Sequence, residues 1–438
     1  MMKQQFRFAL LTIATACMIT CTSCSDKDEP DPVNPPKPAE PEKVSVKVSV
    51  TLPDGITTVS DEKYTFNNIT TQQSESFTDA ASISLLPGLY DLSYTATASL
   101  HDGIDAEVRA SRRSITVKEG TSVALEAFVN LATDDLIIEE IYFAGCLTGS
   151  AYQYSADNYV KLYNNTDHVI YADGIAIFET TFMSVQKFEY SPDIKDEAVA
   201  VDAVYVVPGS GKDYPVEPGK SLLIADNGMN HKEINENSID LSHADFEWYD
   251  ESMNPAFTDI DNPGVKNLDK WYCSSNTMFA LHNRGYKSYG IARIPADYDI
   301  DRYLSEKAYS YTYKLSVPAG VFEIPGDCYM MPNEWVVDMV NLSVAQMFVW
   351  TVTSPRLDMG WTSCGQIDMD PDRYFHSVRR KYLTTADDGR IILKDTNNST
   401  DDFNGNVTAS EIELQSAAVD LNGTKASQIT IDGITPAK

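Results

Sequence analysis

Histidine is scarce in this chain: six among 438 residues, namely His101, His168, His231, His243, His282 and His376. No two stand at i, i+4, and no HExxH or comparable ligand set occurs, so the sequence offers no basis for a His-built metal or haem centre. Cysteine is nearly as sparse. Cys17, Cys21 and Cys24 fall at the extreme N-terminus, leaving Cys146, Cys273, Cys328 and Cys364 for the body. None of these forms CxxC and no His lies at zinc-ligand spacing from them, which argues against zinc. Outside the cytoplasm they allow two disulfides in three pairings that sequence cannot rank; four buried free thiols is the competing state. Positive charge is short as well, with 34 Lys and Arg against 64 Asp and Glu and a net charge of −30. That balance excludes the basic footprint of a nucleic-acid partner and suits a soluble acidic surface. G-x-S-x-G is absent. Gly209-Ser210-Gly211-Lys212 follows Pro208 as a turn, without the upstream glycine or the strand-to-helix context of a phosphate loop.

What is present begins with a leader. Lys3 and Arg7 precede the apolar run Phe8–Ile19, which is too short for a permanent transmembrane helix, and Thr22-Ser23-Cys24 closes a small-residue site. Residues 1–24 are expected to be a lipoprotein signal peptide cleaved before Cys24, which would carry the lipid; Cys21, after Met18-Ile19-Thr20, is the weaker alternative. Ser25-Asp26-Lys27-Asp28-Glu29 then resembles the surface-export signal of Bacteroidota lipoproteins. That resemblance implies an outer-membrane, lipid-anchored and surface-exposed protein. Residues 25–43, rich in Pro and charge, read as an extended tether.

The remainder is β-patterned. Twenty-four Tyr and many Val and Thr favour strands, and the apolar period is two rather than 3.6. Val44, Val46, Val48 and Val50 alternate with Ser and Lys, and Leu89–Thr97 alternates after Pro87-Gly88. Turn signals about every ten residues make 44–131 a small β-sandwich domain. Its Leu-Pro-Gly-x-Tyr-x-Leu stretch resembles prealbumin-like modules.

Leu136–Ile177 carries the most information. Leu136–Phe143 is apolar around Glu139-Glu140, Tyr159–Tyr163 alternates, Asn164–Asp167 is a turn cluster, and Asp173-Gly174 turns into Ile175–Phe178. This layout resembles the opening of a lamin-tail domain. Val216–Ala225, Phe279–Asn283, Glu334–Asp338 and Ser377–Lys381 match further strands of that family. With the leader, the chain resembles an uncharacterised Bacteroidota family of surface lipoproteins with such a domain. The resemblance implies an immunoglobulin-like sandwich over 134–404, with long insertions near 226–270 and 288–314 and an extension at 405–438. The fold class expected is therefore all-β, a prealbumin-like sandwich followed by a lamin-tail-like one. No internal repeat is evident.

Candidate chemistry is thin. Glu139 and Glu140 face opposite sides of a strand and so cannot act on one substrate atom; pairing with Arg379 or Arg380 across the sheet is the structural alternative. Calcium is the best inorganic candidate, because Asp368-x-Asp370-x-Asp372 and Asp259-x-Asp261-Asn262-x-Gly264 place oxygen ligands at alternate positions, though neither has the later bidentate Glu. The aromatic residues of the insertions, Trp248, Tyr249, Trp271, Tyr272, Tyr298 and Tyr303, are the candidate ligand contacts; anchoring a loop to the sandwich is the equal alternative. The functional expectation is a non-enzymatic surface lipoprotein that captures a ligand or partner. By analogy with such lipoproteins it would work beside a TonB-dependent transporter. The alternatives are a hydrolase of polysaccharide or phosphoester and a purely structural adhesin. A converging acid pair would favour the hydrolase; exposed aromatics would favour binding.

Overall fold

A computed structural model describes residues 42–53, 56–99, 105–130 and 133–415. The leader, the Cys24 site, residues 25–41 of the tether and residues 416–438 lie outside the described residues. Lys43 opens a single compact unit, and the expected all-β class is correct. Among the described residues no helix is long and apolar enough to cross a membrane.

Alternation builds the first sheet. In Gly88–Ser99 the side chains of Tyr90, Leu92, Tyr94, Ala96 and Ala98 are buried while their neighbours are not, as expected for a strand with one dry face. Ser60–Asn68 and Asp105–Val117 flank it, and Ser74–Phe77 and Phe128–Asn130 complete an antiparallel sheet of five strands. Lys47–Thr51 pairs in parallel with Ser122–Glu126. Their Val123 and Leu125 share one core with Tyr64, Phe66 and Tyr94.

The second sandwich is larger. Its seven-stranded sheet runs in the order Lys266–Asn267, Phe246–Glu247, Ser221–Ala225, Tyr159–Asn164, Leu136–Tyr142, His376–Arg380 and Phe403–Thr408. Its eight-stranded partner centres on Ala198–Val206, Ile175–Thr180, Tyr289–Arg293 and Val336–Val340, with the long hairpin Ala308–Val317/Gly320–Pro332 at one side. Ile138, Val160, Leu162 and Ile224 from the first sheet meet Ile175, Ile177, Tyr205 and Ile291 from the second in the main core. The far faces are covered too. Phe178, Val204, Ala292 and Met339 pack under Tyr303 of the helix Ile300–Glu306, and Tyr142, Tyr159 and Leu223 lie under Ile412 of the helix Ser410–Gln415. Double coverage explains why Ile175–Thr180 is buried at every position, where a half-exposed strand would alternate.

Both expected insertions need correction. The 226–270 stretch is not a separate excursion: its Phe246–Glu247 and Lys266–Asn267 extend the first sheet as parallel edge strands. The 288–314 stretch is not peripheral, because Tyr289–Arg293 sits between Ile175–Thr180 and Val336–Val340. The reason is compositional. Polar Asp and Asn turns mask short strands from a periodicity reading.

Among the described residues Cys146, Cys273, Cys328 and Cys364 are all free, so the two-disulfide alternative is not realised. Cys146, Cys328 and Cys364 belong to different core clusters, which keeps their thiols apart.

Candidate functional site

Two clefts on the second sandwich gather polar and aromatic side chains, one against each sheet. The first is built by the Thr181–Lys195 connection, which leaves the sheet after Ile175–Thr180 and returns through Tyr190–Ser191, paired with Ala308–Val317. Phe182 stacks on Tyr190 with ring centroids 3.7 Å apart. Phe188 leans on Tyr313 at 4.5 Å, and Trp350 lies over Tyr190 at 6.2 Å with rings 22° from parallel. Alternation in Ala308–Val317 puts Tyr309, Tyr311 and Tyr313 on one face toward these rings. The result is a cleft of about 270 Å³ lined by Phe182, Phe188, Tyr190, Tyr309 and Trp350, with Lys187 and Lys195 on its wall.

Both lysines sit over the Trp350 ring, at 5.6 and 5.5 Å from its centroid, a placement the quadrupole of the indole favours. Burial lowers the Lys195 ammonium to about 8, helped by Arg113 and Lys187 nearby. Its Nζ donates to Thr351 O at 2.9 Å. Trp350 Nε1 donates to Met183 O and Gln186 O, so the indole is fixed from its edge. Ring faces with fixed polar edges suit a ligand that carries a flat apolar surface and hydroxyls.

The second cleft, about 560 Å³, lies between the outer face of the seven-stranded sheet and the hairpin of Tyr382–Thr385 and Ile391–Leu393. A β-bulge shapes its floor. Ile138 pairs with Leu162 and Glu140 with Lys161, leaving Glu139 without a partner in the ladder. The extra residue resets the alternation. Glu139 and Glu140 therefore share the outer face, which corrects the sequence expectation that they point apart. Glu140 Oε1 accepts from Ser377 Oγ at 2.6 Å and from Ser410 N at 2.8 Å, and its Oε2 accepts from Ser410 Oγ. Glu140 is thus fully engaged below the floor, while Glu139 lines the cleft and accepts from Ser221 Oγ at 2.5 Å. Lys161 reaches Glu411 at 2.7 Å and Arg379 reaches Glu413 at 2.8 Å. Burial raises the Glu139 carboxyl, against the opposing pull of Lys161, Ser221 and Arg379.

The aromatics singled out from sequence are placed elsewhere. Trp248 is 1% exposed and meets Phe279 edge-on, and Tyr303 is fully buried, so neither is a contact surface. Trp271 packs on Tyr303 and Tyr272 on Tyr329. Tyr298 sits edge-on to Trp335 under Arg302, and Tyr249 is half-buried. These rings anchor the connections to the sheets, and the structure does not gather them in one place. The residues sequence reading missed are Phe182, Phe188 and Tyr190, in the Thr181–Lys195 connection, and the distant Trp350. Their signal was the spacing of Phe182, Phe188 and Tyr190 within ten residues of a strand end.

The acidic motifs do not converge. Asp368 receives Arg284 at 3.2 Å and Tyr286 Oη at 2.5 Å, whereas Asp370 caps a short turn through Gln366 N and Asp372 N, and Asp372 is exposed. Asp259 accepts from Asp250 N, and Asn262 donates to Glu247. Among the described residues no group of three or more His, Cys, Asp or Glu is placed to hold a metal.

Residues 217–410 match the family model described as a protein of unknown function, DUF4876. The structure is similar to the crystal structure of a DUF4876 family protein from Bacteroides thetaiotaomicron VPI-5482. The TM-score is 0.52 at 22% identity, covering 84% of this chain and 96% of that one. That likeness speaks to fold. No curated protein matches the chain.

Proposed function

We propose that this protein is a non-enzymatic, surface-anchored binding lipoprotein that captures a ring-bearing ligand, one unit of a glycan, in the aromatic cleft. The observation that carries this reading is the open cleft of Phe182, Phe188, Tyr190, Tyr309 and Trp350 with its two lysines. Its volume suits about one ring, just below the usual range for drug-sized ligands. The engagement of both Glu140 oxygens by serines keeps the Glu139-Glu140 pair from working on a common atom, which supports binding over hydrolysis at that pair. Lipid on Cys24 would fix the chain at the outer membrane, and a TonB-dependent transporter is the kind of partner such an arrangement would serve.

The test is a fluorescence titration of the full chain against neutral oligosaccharides, exploiting Trp350. Phe188→Ala is the variant, since Phe188 is half-buried at the rim. Loss of one stacking ring is expected to weaken binding by about tenfold, roughly 1.4 kcal/mol. An unchanged affinity in Phe188→Ala, or no glycan quenching the signal, would remove the proposal's basis. Metabolic labelling with a fatty acid, comparing the native chain with Cys24→Ser, tests the anchor separately.

A further inference from the structure

We propose that the polar cleft over the seven-stranded sheet is a separate site for a small hydroxylated organic acid, whose carboxylate or phosphate sits between Lys220, Arg379 and Arg390. Lys220, Arg379 and Arg390 line this cleft beside Glu139 and Asp388, whereas its other cations, Lys161 and Arg380, are committed to Glu411 and to Asp338. Converging cations that keep donors in reserve can orient an anion.

The cations hold donors in reserve. Arg379 uses Nη1 for Thr408 O and Glu413, and its Nε and Nη2 have no hydrogen-bond partner among the described residues. Arg390 gives Nη1 to Asn165 O at 3.0 Å and keeps a long 3.4 Å contact from Nε to Asp388; its Nη2 is likewise without a partner among the described residues. Lys220 is exposed and has no ion pair among the described residues. Planar guanidinium forks with open edges match a carboxylate or a phosphate.

The backbone has made room for this arrangement. Gly219 has φ +72°, and a Cβ there would fall 2.7 Å from Arg390 Cγ. Only glycine fits both the left-handed conformation and the arginine stem lying across it. Glu139 shares the cleft, and burial raises its carboxyl against the pull of Lys161, Ser221 and Arg379. The Glu139 carboxyl, which accepts from Ser221 Oγ, also presents acceptor oxygens to ligand hydroxyls. The volume leaves space for a hydroxylated ring behind the anionic group.

Isothermal titration of the full chain with glucuronate, glucose 6-phosphate, glucose and inorganic phosphate distinguishes the sources of the anion. At least one of the two sugar acids is expected to bind, with glucose silent at the same concentration. Affinity is expected to fall as salt rises from about 0.05 to 0.5 M. Lys220→Glu is expected to weaken binding by at least about tenfold; its exposed side chain makes the variant tolerable to the fold, which circular dichroism checks. Arg390→Gln is the second variant and should weaken binding in the same direction. The inference is overturned if glucose binds as tightly as the acids, or if inorganic phosphate alone matches glucose 6-phosphate. Unchanged affinity in both variants, or no binding of either acid up to about 20 mM, would also overturn it. Phe188→Ala, which addresses the other cleft, should leave this titration unaltered.

Discussion

Arg380 shows how much a single side chain can organise. It is 3% exposed, gives Nη2 to Asp338 at 2.5 Å and Nη1 to Asp395 at 3.1 Å, and comes within 3.8 Å of Asp402. Its Nε donates to Ile138 O at 2.7 Å, and its plane covers the Phe403 ring at 4.5 Å. The surrounding carboxylates hold the guanidinium firmly protonated although burial opposes this. Replacing it by Met would leave those acids buried without a counter-charge, so Arg380→Met should cost about 3–5 kcal/mol in urea denaturation. A loss below about 1 kcal/mol would mean that the acids protonate and the cluster is not held by charge. Residue-level reading of the sequence came close here and then missed. It paired the Glu139-Glu140 acids with Arg379 or Arg380, and Glu140 does stand opposite Arg379. Arg380 instead faces Asp338, because successive strand residues point to opposite faces. The same rule misled for Glu139, since a bulge is one extra residue in a ladder and leaves no mark in composition.

At the scale of elements, strands with clear alternation or continuous apolar runs were legible: Gly88–Ser99, Leu136–Tyr142 and Tyr159–Asn164. Tyr289–Arg293 was not, because Tyr-Gly-Ile-Ala-Arg lacks both patterns. Its glycine is a packing device: a Cβ on Gly290 would lie 2.3 Å from the Phe178 ring and 2.6 Å from Met339 Sδ. That strand also brings Tyr289 Oη to Glu179 Oε2 at 2.7 Å. Burial raises Glu179 to about 7, despite Lys287 and the tyrosine, and burial likewise raises Asp157 and Asp358 to about 6. In the unfolded chain these groups titrate near 4, so between about pH 4 and 7 the folded state binds the extra protons. Their contribution is fully present below the unfolded values and is lost as pH rises through 6 to 7. The melting temperature should therefore rise on going from pH 8 to pH 5.5, and Glu179→Gln, which stays neutral, should flatten that rise. A mutant with the native slope would show that Glu179 does not titrate in this window.

At the scale of the molecule, the N-terminal sheet and the larger sandwich belong to one unit, and arginines join them. Arg109 reaches Thr396 O, and Arg113 Nη2 donates to Met359 O at 3.1 Å. The Arg113 guanidinium also lies 5.2 Å from the Phe348 centroid, and Phe348 stacks on Trp361 at 4.3 Å. Arg356 returns the contact from the larger sandwich by lying over Phe128, and Thr133 Oγ1 donates to Val337 O at 2.9 Å. Sequence could divide the chain near 131 from turn signals alone, but no local pattern could reveal this seam, since its partners lie over two hundred residues apart. Each hydrogen bond from a charged donor contributes about 1.5–3 kcal/mol, enough in combination to couple the melting of the two parts. Calorimetry of the full chain should therefore give one transition. Arg109→Ala with Arg113→Ala should move the N-terminal sheet to a separate, lower-temperature transition and leave the larger sandwich where it was. Two transitions in the native chain would show that the arginines contribute no coupling, and a double variant still melting once would place the coupling in the apolar packing around Phe128 and Phe348.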